Sequence, residues 1–87
     1  MAERNAQIVN KQGIHARPAA EIVKTASRYK SNVTIVRDDL EVNAKSIMGV
    51  MMLAAEHGSF ITIRADGDDA DAAIEGICKV IADGFGE

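Results

Sequence analysis

A single proline, Pro18, fixes where one element of this chain must begin. Its ring sets φ near the helical value and removes the N–H, so it suits a helix's first turn and is excluded from the interior. From Ala19 onward the apolar residues Ala19, Ile22, Val23 and Ala26 recur at spacings of three and four, one buried stripe of an amphipathic helix. His15 then lies just ahead of that helix, where unpaired N–H groups and the positive dipole end face its ring. Gly13 permits a close backbone approach at that point, and Arg17 adds a fixed positive charge within the same turn. Histidine, arginine and a helix N-terminus together make a resting place for a phosphoryl group.

The 87 residues predict one domain over 1–87, near the small end of what folds without staples. Apolar residues at 47% can supply its core, but Tyr29, Phe60 and Phe85 are the only aromatics. The expected core is therefore aliphatic. One cysteine, Cys78, excludes an internal disulfide and any zinc-finger spacing. The polar start Met1-Ala2-Glu3-Arg4 carries no signal-like segment. The longest apolar run, Ile47 to Ala55, falls short of the roughly 20 residues a bilayer demands. A soluble cytoplasmic protein, a monomer with no membrane insertion, is the expectation.

The net charge of −3 hides a lopsided distribution. Residues 1–37 carry seven Lys/Arg against two Asp/Glu, a balance of +5, while residues 38–87 carry three against eleven, a balance of −8. Lys11, Arg17 and Lys24 lie close to His15 in sequence, and a local positive field there attracts phosphate or an acidic protein. Scattered basic residues with almost no aromatics speak against nucleic acid.

Strand and helix signals alternate along the chain without a linker or repeat. A short strand is expected over Ala6 to Val9, then the loop Asn10-Lys11-Gln12-Gly13 and a helix from about Ala16 to Tyr29. Val33 to Arg37 is β-branched and partly alternating, Asp38-Asp39 makes a turn, and Leu40-Glu41-Val42 completes a hairpin. Ser46 caps a second helix, from about Ile47 to Glu56, which Gly58 closes after His57. Phe60 to Ala65 is a fourth strand, with Ile61, Ile63 and Ala65 on one face. A third helix starts after Gly67, capped by Asp68 or Asp69, buries Ile74, Ile77, Cys78 and Ile81, and stops at Gly84. The order β-α-β-β-α-β-α predicts a two-layer α+β domain.

Two stretches carry a specific resemblance. Gly13-Ile14-His15-Ala16-Arg17-Pro18-Ala19 resembles the active-site signature of the HPr family, the histidine-containing phosphocarriers of the phosphoenolpyruvate-dependent sugar phosphotransferase system. Lys45-Ser46-Ile47-Met48-Gly49-Val50-Met51 is similar to that family's regulatory serine segment, at the family's separation. The resemblance implies an open-faced β-sandwich, a four-stranded antiparallel sheet covered on one side by three helices. It implies that His15 accepts a phosphoryl group at Nδ1 from phosphoenolpyruvate through Enzyme I and passes it to IIA components. Arg17 would then balance the phosphate's charge, and Ser46 would be phosphorylated by an HPr kinase. Docking would fall to Arg17, Ala20, Lys24, Ile47, Met48 and Met51. The implied partners are Enzyme I, IIA components, HPr kinase/phosphorylase and a transcriptional regulator, with no cofactor and no metal.

Elementary chemistry agrees with that role. A phosphoryl acceptor must be a neutral imidazole, since the imidazolium has no lone pair for attack, and a helix N-terminus disfavours the cation. Serine before a helix caps it whether or not it is ever phosphorylated. Met48 and Met51 share a face with Ile47, whereas Val50 and Leu53 can serve the core. A short helix cannot bury all of these together with Met52, so some must be exposed, and exposed methionines suit a surface with several partners.

Other candidates carry no chemistry. His57 and Cys78 read as structural residues. Asp66, Asp68, Asp69 and Asp71 lack a calcium-loop pattern and read as helix capping. Two function classes remain: a covalent phosphocarrier, and a regulatory module of similar topology that binds by surface contacts alone. His15 beside Arg17 favours the carrier. Sugar transport and a nitrogen-type regulatory branch both stay open.

Overall fold

The computed structural model describes residues 1–87. Strand β1 spans Ala2–Gln7, helix α1 Ala16–Ala26, strands β2 and β3 Asn32–Arg37 and Leu40–Asn43, helix α2 Ile47–Met52, strand β4 Phe60–Asp66 and helix α3 Ala70–Ala82. The strands form one antiparallel sheet in the order β1-β4-β2-β3. Alternation along β4 sends Ile61, Ile63 and Ala65 into the core, while Thr62 and Arg64 bond Asn5 and Glu3 on the open face. All three helices bury their stripes against the apolar face, making the expected α+β open-faced sandwich. The core is aliphatic as its composition requires, with Phe85 the one buried aromatic among Ile, Val, Leu and Ala.

Several boundaries differ from the sequence reading, and those of β1 and α2 do so through long-range contacts. β1 begins at Ala2 instead of Ala6 and ends at Gln7. Only Ala2 and Ala6 of this strand pack on the core, so it lacks a β-branched signature. Pairing with β4 from Ala2↔Ala65 to Gln7↔Phe60 makes it a strand. Helix α1 stops at Ala26, and Arg28 and Tyr29 continue in tighter turns onto the Thr25 and Ala26 carbonyls. Helix α2 stops at Met52 instead of running to Glu56. The Arg37 guanidinium, arriving from β2, donates to the Leu53 and Ala54 carbonyls at 2.9 and 2.8 Å, and Ala54 turns left-handed at φ +48°. His57 and Gly58 consequently lie in the turn into β4, outside any helix. Cys78 is half-buried beside Arg4 instead of in the core, and burial pushes its thiol up against the opposing pull of Arg4.

Asp69 occupies the N-cap of α3, yet its side chain makes no capping bond. The carboxylate instead accepts from the Lys30 and Ser31 amides at 2.8 and 2.9 Å and from the Ser31 hydroxyl. The Ser31 hydroxyl above all, then the Lys30 amide, holds the Asp69 carboxyl down from 3.8 to about 2. A carboxyl lowered on folding contributes stability above its unfolded value, and that contribution fades as pH falls through the folded value. Asp69→Asn should therefore be less stable than the parent at pH 5 and above. The gap should close between about pH 4 and pH 2, as urea midpoints measured across that range will show.

Candidate functional site

The loop between β1 and α1 is stitched to the segment after α2 by backbone alone. Gly58 donates to the Ile8 carbonyl at 2.8 Å, Ile8 to the Ser59 carbonyl at 2.9 Å, and Ile14 to the Ala55 carbonyl at 2.8 Å. Gly13 sits at φ +69°, and a Cβ there would stand 2.5 Å from the Ala55 oxygen and 2.8 Å from Glu56 Cα. The close approach expected of Gly13 is thus made to backbone, which leaves no room for a side chain.

This anchoring delivers His15 to the N-cap of α1 with an extended backbone, φ −113° and ψ −166°. Its carbonyl accepts the Ala19 amide at 2.9 Å, while no side chain caps the first turn. The Ala16 and Arg17 amides have no intrahelical partner, and Pro18 contributes no N–H. The imidazole is 39% exposed. Arg17 and His15 are brought together by a residue that sequence reasoning missed. Glu87 Oε2 lies 2.9 Å from His15 Nε2 and 3.7 Å from Arg17 Nη2, which also donates to the Phe85 carbonyl at 3.0 Å. The segment carrying Glu87 turns back through three consecutive left-handed residues, Gly84, Phe85 and Gly86, with the Phe85 ring anchored in the core.

Asn10, also missed, completes the arrangement. Its Nδ2 donates to Glu87 Oε1 at 3.0 Å and to the Gly13 carbonyl at 2.7 Å. Asn10 above all, then His15 and Arg17, holds the Glu87 carboxyl below its ordinary value against partial desolvation. An ionised carboxylate only accepts, so the bond at 2.9 Å requires the proton on His15 Nε2 and leaves the Nδ1 lone pair of the neutral ring free. A cleft of about 710 Å³ is lined by Asn10 and Glu87 among others, but not by His15 or Arg17.

Ser46 stands at the N-cap of α2, its Oγ accepting from the Gly49 amide at 3.1 Å, the capping geometry expected of it. Ile47, Met48, Met51 and Met52 are exposed, Met48 at 73%, whereas Val50 and Leu53 are buried. Arg17, Ala20 and Lys24 are exposed along α1, which packs against α2. Sequence spacing thus sorted the apolar residues of α2 correctly between core and surface. Asn10 and Glu87 offered no comparable signal, being polar residues 77 positions apart.

The chain matches the family model described as the phosphorylation site of the phosphotransferase HPr component over residues 2–83. It belongs to the HPr family of phosphocarriers. A phosphocarrier protein HPr from Mycoplasma capricolum is 48% identical over 83 residues, covering 95% of this chain and 93% of its own. The solved HPr of Thermoanaerobacter tengcongensis superposes with a TM-score of 0.96 at 45% identity, covering 100% of this chain and 98% of that one. A second structure of that organism's HPr, a dimer, gives 0.80 at 45% identity over all of both chains. HPr proteins carry phosphoryl groups in the phosphotransferase system instead of catalysing turnover, and that general role extends to this chain. No helix is long and apolar enough to cross a membrane.

Proposed function

We propose that His15 accepts a phosphoryl group at Nδ1 from phosphoenolpyruvate through Enzyme I and passes it to IIA components in the cytoplasm. The contact between His15 Nε2 and Glu87 supports this reading most directly, because it leaves Nδ1 as the nucleophile beside the uncapped turn of α1. The Nδ1 lone pair forms the N–P bond as the donor's bond to phosphorus breaks, the donor keeping that electron pair. The Ala16 and Arg17 amides and the Arg17 guanidinium stabilise the phosphate. The half-exposed ring lets it leave again. Asn10, Arg17 and Glu87 come from the same chain as His15, so a monomer suffices. Incubation with phosphoenolpyruvate and Enzyme I should add one acid-labile, base-stable phosphate per chain; an unlabelled protein removes the reading.

Ile47, Met48 and Met51, with Arg17, Ala20 and Lys24, form the docking surface in this reading. Met48→Asp should weaken Enzyme I binding at least tenfold while moving the melting temperature by only a few degrees, because this residue is 73% exposed. Unfolding of that variant would place Met48 in the core and discard the docking role.

Phosphorylation of Ser46 by an HPr kinase would regulate the same surface. A phosphoserine brings roughly −1.5 to −2 charges to the positive end of α2, which tolerates them, so the helix stays folded. The added charge repels an acidic partner instead. Ser46→Asp should slow His15 phosphorylation, and salt should restore part of the rate, since exposed charges are screened within about 8 Å at physiological ionic strength. A salt-independent defect with lost helicity would replace repulsion by melting.

A further inference from the structure

Asn10 is buried, 6% exposed, and spends both amide protons on groups that flank the reactive ring. One reaches the Gly13 carbonyl, two residues before His15, and the other the Glu87 oxygen that His15 does not use. Its own Oδ1 is buried with no partner. Rotating the amide would not help, because Oδ1 would then face two acceptors, so the two donor bonds fix its orientation. A leucine, with the same branched skeleton, would bury no orphaned oxygen of its own but would take the donor away from the Gly13 carbonyl and from Glu87 Oε1. The asparagine is therefore a poor choice for packing and a good one for aiming two neighbours of His15.

We propose that Asn10 is a positioning residue for phosphoryl transfer, holding the Glu87 carboxylate so that it keeps the His15 proton on Nε2. The inference rests on His15 being the acceptor, but its first readout does not require transfer. Without Asn10, Glu87 loses the anchor on Oε1 and is left with its exposed His15 and Arg17 contacts, so it holds the Nε2 proton less firmly and the Nδ1–H form of the ring gains population. That form presents no lone pair at Nδ1 and cannot accept phosphorus there.

Nitrogen-15 spectra of the ring separate the two neutral forms directly. The parent protein should show mainly the Nε2–H form. Asn10→Leu and Glu87→Ala should each raise the Nδ1–H share severalfold, and in the Glu87→Ala background Asn10→Leu should add nothing further. Phosphoryl uptake from phosphoenolpyruvate and Enzyme I should slow about tenfold in Asn10→Leu, the low end of what metal-bound imidazoles lose with their orienting partners. A ring spectrum unchanged by Asn10→Leu overturns the proposal, whatever happens to the melting temperature. Should that variant not fold, Asn10→Ala, which removes both donors and adds no bulk, is read by the same criterion. A parent that takes up no phosphate would overturn His15 as acceptor, and the ring spectra would still decide the role of Asn10.

Discussion

Replacing Gly13 by alanine should cost this fold about 3 kcal/mol or more and carry His15 out of position. A left-handed backbone at φ +69° costs an L side chain roughly 1–2 kcal/mol by itself. The new Cβ would also stand 2.5 Å from the Ala55 oxygen and 2.8 Å from Glu56 Cα, atoms of the main chain that no rotamer change can move. Relief requires the two segments to separate, which breaks the Ile14–Ala55 hydrogen bond and adds about 1–3 kcal/mol for the disturbed packing. Gly58 is the internal comparison. It is also left-handed, at φ +89°, but a Cβ there would meet nothing within 4 Å, so Gly58→Ala should lose only about 1–2 kcal/mol. Denaturant midpoints of the two variants test the difference. Equal losses would mean that the close approach to Ala55 and Glu56 carries no energy.

His15→Ala should show the opposite pattern, with phosphate labelling abolished and the fold almost untouched. The imidazole is 39% exposed and makes one side-chain hydrogen bond, to Glu87. It does not cap α1, so alanine removes no capping bond. A stability change within about 0.5 kcal/mol is expected for such a position. Its only acceptor atom for phosphorus, Nδ1, disappears with the ring. Labelling by phosphoenolpyruvate and Enzyme I followed by acid hydrolysis is the measurement, with thermal unfolding alongside. Label persisting in the alanine variant would transfer the acceptor role elsewhere.

The residues most legible in the sequence are those whose partners are near in the chain. Pro18 and the stripe Ala19, Ile22 and Ala26 mark α1 because a helix buries residues three and four apart. Ser46 announces its own bond to Gly49, and Asp38-Asp39 its own turn. What local pattern could not reveal lies in contacts closed by the fold. Arg37 ends α2 from 16 residues away. β4 makes a strand of the nearly featureless β1. Glu87 reaches His15 across 72 positions and Asn10 across 77, distances at which no periodicity connects residues. Phe85 between two glycines was the one available sign that this segment turns inward.

The stitching of residues 8–14 to residues 55–59 also bears on how such a chain can vary in length. Its hydrogen bonds use carbonyls and amides that every residue but proline supplies, so Glu56, exposed at the surface, can be exchanged for nearly any other residue. The spacing cannot be exchanged. Ser59 and Gly58 are fastened to Ile8 while Ala55 is fastened to Ile14, so both strips are pinned at two points like facing edges of a seam. One residue inserted or deleted between Ala55 and Gly58 would leave the two strips unequal and pull the loop ahead of His15 out of line. Indels in this family should therefore spare that stretch and collect where the inserted residues themselves meet no partner strip, as at the tip of the Asp38-Asp39 hairpin turn beyond the Arg37–Leu40 pair.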